Sequence, residues 1–419
     1  MTTPAQINPV PFHILAKPAG AACNLACEYC FYLDKEKLYP DSPMRMPEEV
    51  LKAYIKQLLT SQPAMEVSVA WQGGEPTLMS LEFFKHSVEL VRKYKRPDQK
   101  VSYTLQTNGT RLDDEWCTFF KENDFLIGLS CDGPAEIHDT YRVNKGGQGS
   151  FEQVKRGWDL LQKHKVDTNI LSAVHATNSF HALKVYRFFR DDLQARFIQF
   201  IPVVERVDPG TLLPADMSEE EPKGGKHRLH LKEYASVSLR SVKPKQYGKF
   251  LVDIFDEWVQ RDVGTVFVQI FDSTLASWCG LPPSVCVFQE TCGGALVLEH
   301  NGDLYSCDHF VDPKHRLGNI LETPMIELVN SSSQRQFGAD KREQLPATCQ
   351  DCDIRFACQG ECPRNRFPVI AGDDGRHNYL CEGYRLFFRH VNRPMRKMVD
   401  LLRMGRSPME IMETWGKGN

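Results

Sequence analysis

A chain of 419 residues is long enough to bury a large core and to divide into two domains, one large and one small. Its 51 basic and 54 acidic residues leave a net charge of -3, which gives no electrostatic case for nucleic acid or an anionic membrane as the main partner. The opening MTTPAQINPVPF lacks the basic region of a secretory signal, and no apolar run reaches the ~18–20 residues of a membrane-spanning helix, so a cytoplasmic protein is expected.

The first half alternates two patterns. Short apolar, β-branched runs at 11–17, 66–72, 100–107, 125–131, 168–175 and 197–204 read as strands, with helical spacing between them. In 80–95, for example, Leu81, Phe84, Val88 and Val91 form one apolar stripe behind Ser80, a fair N-cap. A strand-to-strand period of about 25–45 residues fits βα units feeding a parallel sheet. Periodicity does not separate a doubly wound sheet from an incomplete barrel.

The rhythm breaks at 205–245, a charged excursion, and an amphipathic helix follows near 246–260. Nine of the fourteen cysteines then crowd into 279–381, a stretch with too little aliphatic content for an ordinary second core. The tail at 382–412 reads as helical and polar. In a reducing compartment so many cysteines point to metal or redox chemistry rather than disulfides.

Their spacing carries the chemistry. CNLACEYC places Cys23, Cys27 and Cys30 in a C-x3-C-x2-C pattern on the loop after the first strand, at the face where parallel βα folds keep their sites. Three thiolates suit a cubane iron–sulfur cluster with one open iron, although zinc completed by a distant fourth ligand remains open from the octapeptide alone. WQGGEPTL at 71–78 follows the second strand, and its paired glycines let the backbone approach a ligand.

Together these motifs resemble the radical S-adenosylmethionine enzymes. The resemblance implies a partial (β/α)6 TIM-type barrel over residues 1–205 and a 4Fe-4S cluster on Cys23, Cys27 and Cys30, whose open iron chelates S-adenosylmethionine. One-electron reduction then yields a deoxyadenosyl radical that abstracts hydrogen from substrate. By the same resemblance Tyr29, Gly73, Gly74, Glu75, Ser130 in GLSCDGP and Arg142 in HDTYR bind the cofactor.

The later cysteines run C-x5-C-x14-C (Cys286, Cys292, Cys307), then C-x2-C-x5-C-x3-C (Cys349, Cys352, Cys358, Cys362), then Cys381. Eight clustered thiols read by themselves suit two zinc ions or two iron–sulfur clusters. Behind a radical core they resemble the SPASM extension, expected over 271–385 between a linker at 206–270 and a helical tail at 386–419. That family's crossing arrangement implies one auxiliary 4Fe-4S cluster on Cys286, Cys292, Cys307 and Cys362, and a second on Cys349, Cys352, Cys358 and Cys381. Three 4Fe-4S clusters are thus expected. Cys117, Cys131 and Cys279 are left as buried free thiols.

The full set, with QFIP at 199–202 and SCD at 306–308, is similar to the anaerobic sulfatase-maturating family. Those enzymes oxidise a Cys or Ser side chain of a sulfatase polypeptide, in a C/S-x-A/P-x-R motif, to Cα-formylglycine. The resemblance makes Asp308 the base and the adjacent auxiliary cluster the electron acceptor. It also gives Tyr32 and Gln72 to the substrate backbone and implies a low-potential donor such as flavodoxin or ferredoxin. His309 has no expected role beyond structure. Two other readings stand beside this one: a SPASM peptide maturase that forms crosslinks, and a zinc-stapled peptide-binding protein without turnover.

Overall fold

The structure, a computed structural model, describes residues 11–206, 237–370 and 372–415; most of the charged excursion lies outside them. Six parallel strands form where the β-branched runs predict them: β1 (His13–Ala16), β2 (Glu66–Trp71), β3 (Lys100–Thr107), β4 (Phe125–Ser130), β5 (Asp167–Val174) and β6 (Phe197–Pro202). They stand in sequence order, each hydrogen-bonded to the next. This is the order of a partial barrel; a doubly wound sheet would reverse direction at a switch point.

The helices between strands follow their apolar stripes. Helix Leu81–Tyr94 buries Phe84, Val88, Leu90 and Val91, and Ser80 stands at its N-cap without a side-chain capping bond. Trp71, Phe84 and Trp116 pack edge to face, with Phe120 and Phe125 tilted against them, in the core between this helix and the sheet.

The sheet does not stop at six strands. A short β7 (Phe267–Val268) extends it beyond β6, and on the opposite edge β8 (Ala295–Leu298) pairs parallel to β1. β9 (Asp303–Tyr305) and β10 (Arg316–Asn319) continue that edge antiparallel. The cysteine-rich region is therefore stitched into the barrel sheet, and register between β1 and β8 sets Lys17 and Glu299 at neighbouring strand ends. That also supplies the core the segment lacks on its own: Leu296, Leu298 and Leu304 join the cluster of β1 and β2.

Helix Pro244–Arg261 forms where the amphipathic pattern is read. Its partner differs from the polar tail expected at 382–412. Helix Cys381–Arg403 buries Tyr384, Phe387, Phe388, Val391, Met395 and Met398 against it. The stripe was masked by the arginines and lysines between its apolar positions. The crossing is close because both helices offer glycine: a Cβ on Gly248 would lie 2.5 Å from the Gly383 carbonyl. This helix runs through the boundary expected between 385 and 386. Among the described residues no helix is long and apolar enough to cross a membrane.

Candidate active site

The site is built on the C-terminal ends of the strands. After β1 the chain turns through Lys17–Ala22 into the first cysteine loop, and the turn after β2 is pinned beneath it. Gln72 N donates to Ala16 O (2.9 Å), Gly74 N to Gly20 O (2.9 Å) and Glu75 N to Ala22 O (2.8 Å). Gly74 is required by space, since a Cβ there would lie 2.0 Å from the Ala22 carbonyl, and Gly73 by its φ of +138°. The Glu75 carboxylate is fully buried and spent on the protein. It accepts from Thr77 N, Thr77 Oγ1, Thr107 Oγ1 and Asn108 N at 2.7–3.0 Å. Burial pushes its pKa up while these bonds oppose the shift. What the turn can offer a ligand is the main chain of Gly73 and Gly74.

The eleven expected ligand thiols converge in three separate groups. Cys23, Cys27 and Cys30 feel one another's charge. So do Cys286, Cys292, Cys307 and Cys362, and so do Cys349, Cys352, Cys358 and Cys381. Among the described residues no group is drawn in to the spacing of a single metal ion. Burial, with the neighbouring thiolates adding to it, pushes Cys23 and Cys307 up to about 12 and Cys27 to about 11. Thiolates so placed require a positively charged core, so the donor sets fit iron–sulfur clusters. Amide N–H groups two residues on bear on several sulfurs: Leu25 N donates to Cys23 Sγ (3.4 Å), and the amides of His309, Gly360 and Arg364 work against the burial that raises Cys307, Cys358 and Cys362. Such bonds orient ligands and tune a cluster.

The remaining thiols stand apart. Cys117 and Cys131 are buried and Cys279 is half-buried.

Over the first group lies a buried pair the sequence only half disclosed. Arg142 Nε and Nη2 donate to the two carboxylate oxygens of Asp132 (2.9 and 3.1 Å), and Tyr29 OH donates to Asp132 Oδ2. Burial alone would raise the Asp132 carboxyl; Arg142 and His175 override it and hold it below the usual range. The pair is buried, not a surface bridge, with Arg142 7 % exposed and Asp132 fully enclosed. Tyr29 stacks on His175 at 5.8 Å. Burial lowers His175 to about 4, its Nδ1 accepts from Thr177 N and Asn178 N, and its Nε2 has no hydrogen-bond partner. In the barrel interior Gln106 Nε2 donates to Ser130 Oγ (3.0 Å), near Asn169, whose Oδ1 is likewise unpartnered. These orphaned polar atoms are what a polar ligand would satisfy.

Asp308 lies across the site, one residue after Cys307. Its Oδ1 is 2.6 Å from Nζ of Lys17, a close ion pair. Burial raises its pKa and Lys17 more than offsets this, so the carboxyl is held below its ordinary value. Lys17 also lies 4.4 Å from the Tyr32 ring centre, and the Tyr32 hydroxyl donates to the buried Glu299. Gln72 stands half-buried beside the same turn. His309 turns Nδ1 toward Cys362 Sγ (3.5 Å) and its ring edge to Phe31. Lys17, Asp132, His175 and Glu299 were missed in the sequence. A charged residue ending each strand was the available signal.

The chain matches two family descriptions, "Radical SAM superfamily" over residues 18–188 and "Iron-sulfur cluster-binding domain" (SPASM) over 286–353. It is 44 % identical over 412 residues to a serine-type anaerobic sulfatase-maturating enzyme of Bacteroides thetaiotaomicron, covering 98 % of this chain and 96 % of the relative. It is 36 % identical over 386 residues to a cysteine-type enzyme of Clostridium perfringens strain 13, covering 91 % and 96 %. The fold superposes on the solved structure of native anSMEcpe with bound AdoMet and Cp18Cys peptide at a TM-score of 0.78 and 34 % identity, covering 93 % of this chain and 99 % of that one. The two matched families are those of S-adenosylmethionine radical chemistry and of iron–sulfur cluster binding. The chain belongs to the anaerobic sulfatase-maturating enzymes, radical S-adenosylmethionine oxidoreductases with a SPASM domain that convert a Ser or Cys side chain to formylglycine.

Proposed function

We propose that Asp308 is the proton acceptor of this oxidation and that the substrate is an unfolded or nascent sulfatase segment carrying C/S-x-A/P-x-R. The observation that carries the reading is the position of Asp308: a buried carboxylate paired with Lys17 at 2.6 Å and held below its ordinary pKa by it, one residue from an expected ligand thiol. An ionised carboxylate is ready to take the hydroxyl or thiol proton as the Cβ–H bond is lost.

Bound S-adenosylmethionine supplies the radical that takes the Cβ hydrogen atom. The chain's residues do the rest. The carbonyls of Gly73 and Gly74 receive the cofactor's amino group, while Glu75 braces the turn. Arg142, anchored to Asp132 along one edge, keeps Nη1 for the cofactor, with Ser130 and Tyr29 beside it. Cys23, Cys27 and Cys30 hold the cluster that binds it. Tyr32 and Gln72 flank the substrate backbone, and the two SPASM groups would hold clusters able to accept the remaining electron. A low-potential donor such as flavodoxin or ferredoxin would supply the electron that starts S-adenosylmethionine cleavage. Relatives named serine-type and cysteine-type both match the chain at full length, so both side chains are read as substrates.

An anaerobic assay with matched Ser and Cys peptides tests this. Formylglycine, with one 5′-deoxyadenosine per product, is the expected result for both. Crosslinked or unmodified peptide, with deoxyadenosine formed, would sink the substrate assignment.

A further inference from the structure

Lys341 is a fully buried lysine that forms no salt bridge to a carboxylate among the described residues. It sits in the last turn of helix Ser332–Glu343, and its ammonium donates to two main-chain carbonyls, Cys286 O at 2.9 Å and Val287 O at 2.8 Å. The ionisable groups that act on it most are the thiols of Cys292, Cys286 and Cys362 and the guanidinium of Arg366. Glu361, the carboxylate of this region, acts on it more weakly and already accepts from Asn365 and Asn378. Arg366 is bound in the same manner, by the carbonyls of Gly360, Lys341, Gln359 and Glu361.

Neutral carbonyls solvate an ammonium but do not cancel its charge, and an uncompensated buried charge is costly. The anionic groups that act on it most are the thiols of Cys292, Cys286 and Cys362, three of one group, with Glu361 behind them. The other auxiliary group has a different environment. Glu361 and Arg366 bear on both groups. Lys341, however, is the largest charge acting on Cys286 and Cys292, whereas the largest acting on the other group are the thiol of Cys381, on Cys349 and Cys358, and Arg385, on Cys381.

We propose that Lys341 is the buried counter-cation of the auxiliary cluster on Cys286, Cys292, Cys307 and Cys362, and that its charge makes this cluster the readier electron acceptor of the two. The inference rests on the ligand reading given above. An electron added to an already anionic cluster is stabilised by a fixed cation in a low-dielectric surrounding. The balance of the oxidation places that electron here. One hydrogen atom leaves Cβ to the deoxyadenosyl radical, one proton leaves the substrate oxygen or sulfur to Asp308, and one electron passes to the cluster whose ligand Cys307 precedes Asp308. From a cysteine, the resulting thioaldehyde takes up water and releases hydrogen sulfide to give the aldehyde.

The test is a redox titration of the anaerobically reconstituted enzyme followed by electron paramagnetic resonance, with Lys341→Met, Lys341→Gln and Lys341→Arg. The signal of this cluster is assigned by its loss in Cys286→Ala. Both neutral variants should move its midpoint to more negative potential and leave the S-adenosylmethionine-binding cluster unmoved. They should also lower aldehyde formed per deoxyadenosine several-fold; Lys341→Arg should restore both. Glutamine can still donate to the carbonyls, so it separates charge from hydrogen bonding. A Lys341→Gln enzyme with full iron and unchanged midpoints overturns the proposal. Loss of about four of about twelve irons from both neutral variants but not from Lys341→Arg supports it, whereas loss from all three marks a packing role and overturns it. Full iron content in Cys286→Ala would instead overturn the ligand reading.

Discussion

The ammonium of Lys17 meets Oδ1 of Asp308 at 2.6 Å where Lys17 is 1 % exposed. One residue ends the first strand of the barrel and the other follows a cysteine of the SPASM region, so the pair ties the two motifs across the site. The stem of Lys17 lies against Gly73, because a Cβ on that glycine would come within 3.3 Å of Lys17 Cδ. The cofactor turn, the lysine and the carboxylate thus form one packed unit.

Asp308→Asn should leave S-adenosylmethionine cleavage intact and lower formylglycine yield by about 10²–10⁴-fold, the usual worth of a positioned base. Chromatography of deoxyadenosine beside mass spectrometry of the peptide checks both. An aldehyde yield like that of wild type would remove Asp308 from the chemistry.

Lys17→Met should act through Asp308. It strips the carboxylate of its cation while Glu75, Thr107 and the GGEP turn keep their bonds. Aldehyde formation should fall more than deoxyadenosine formation, and Lys17→Arg should recover part of it. Equal loss of both products would mean that Lys17 serves the cofactor turn instead.

Gly74→Ala should abolish both products, since its methyl would collide with Ala22 and force the turn away from the cysteine loop. Iron and deoxyadenosine measured together report it. Normal cofactor cleavage in this variant would contradict the packing described.

Asp132 gives a stability prediction with a definite sign. Its folded-state pKa lies below the ordinary value, so the Asp132–Arg142 pair stabilises the fold above the usual carboxylate range, near pH 4, and the contribution is lost as pH falls through the depressed value. Asp132→Asn leaves Arg142 buried and unpaired and should cost about 3–5 kcal/mol near neutral pH. Its deficit against wild type, read from urea unfolding under anaerobic conditions, should narrow in acid. A deficit independent of pH would contradict the ion pair.

Gly248→Ala tests the crossing of the two long helices. The added methyl meets the Gly383 backbone, which cannot swing aside, and overpacking of this kind costs about 1–3 kcal/mol. The same unfolding measurement reads it, and an unchanged midpoint would mean that the helices separate freely.

The barrel strands were legible because each is a short β-branched run bounded by helical spacing, and their ends fell within two residues of the structure. Cysteine spacing marked the thiols as a set, but their division into two auxiliary groups came from the family resemblance, and the zinc and crosslinking readings were removed by the relatives and not by spacing. What the sequence hid depends on contacts between distant segments. Lys17 reads as a stray charge after a strand until β8 carries the SPASM region alongside β1. Asp132 is a turn residue in CDGP until Arg142 folds over it. The buried face of helix Cys381–Arg403 was obscured by the basic residues that alternate with it, and Lys341 looks like any helix-ending lysine.

That last helix begins with Cys381, the final thiol of its group, and then buries its aromatic face against helix Pro244–Arg261. With Cys381 in the proposed ligand set, iron loading would be coupled to closure of the fold, and loss of that cluster would loosen the clasp that covers Tyr384, Phe387 and Phe388.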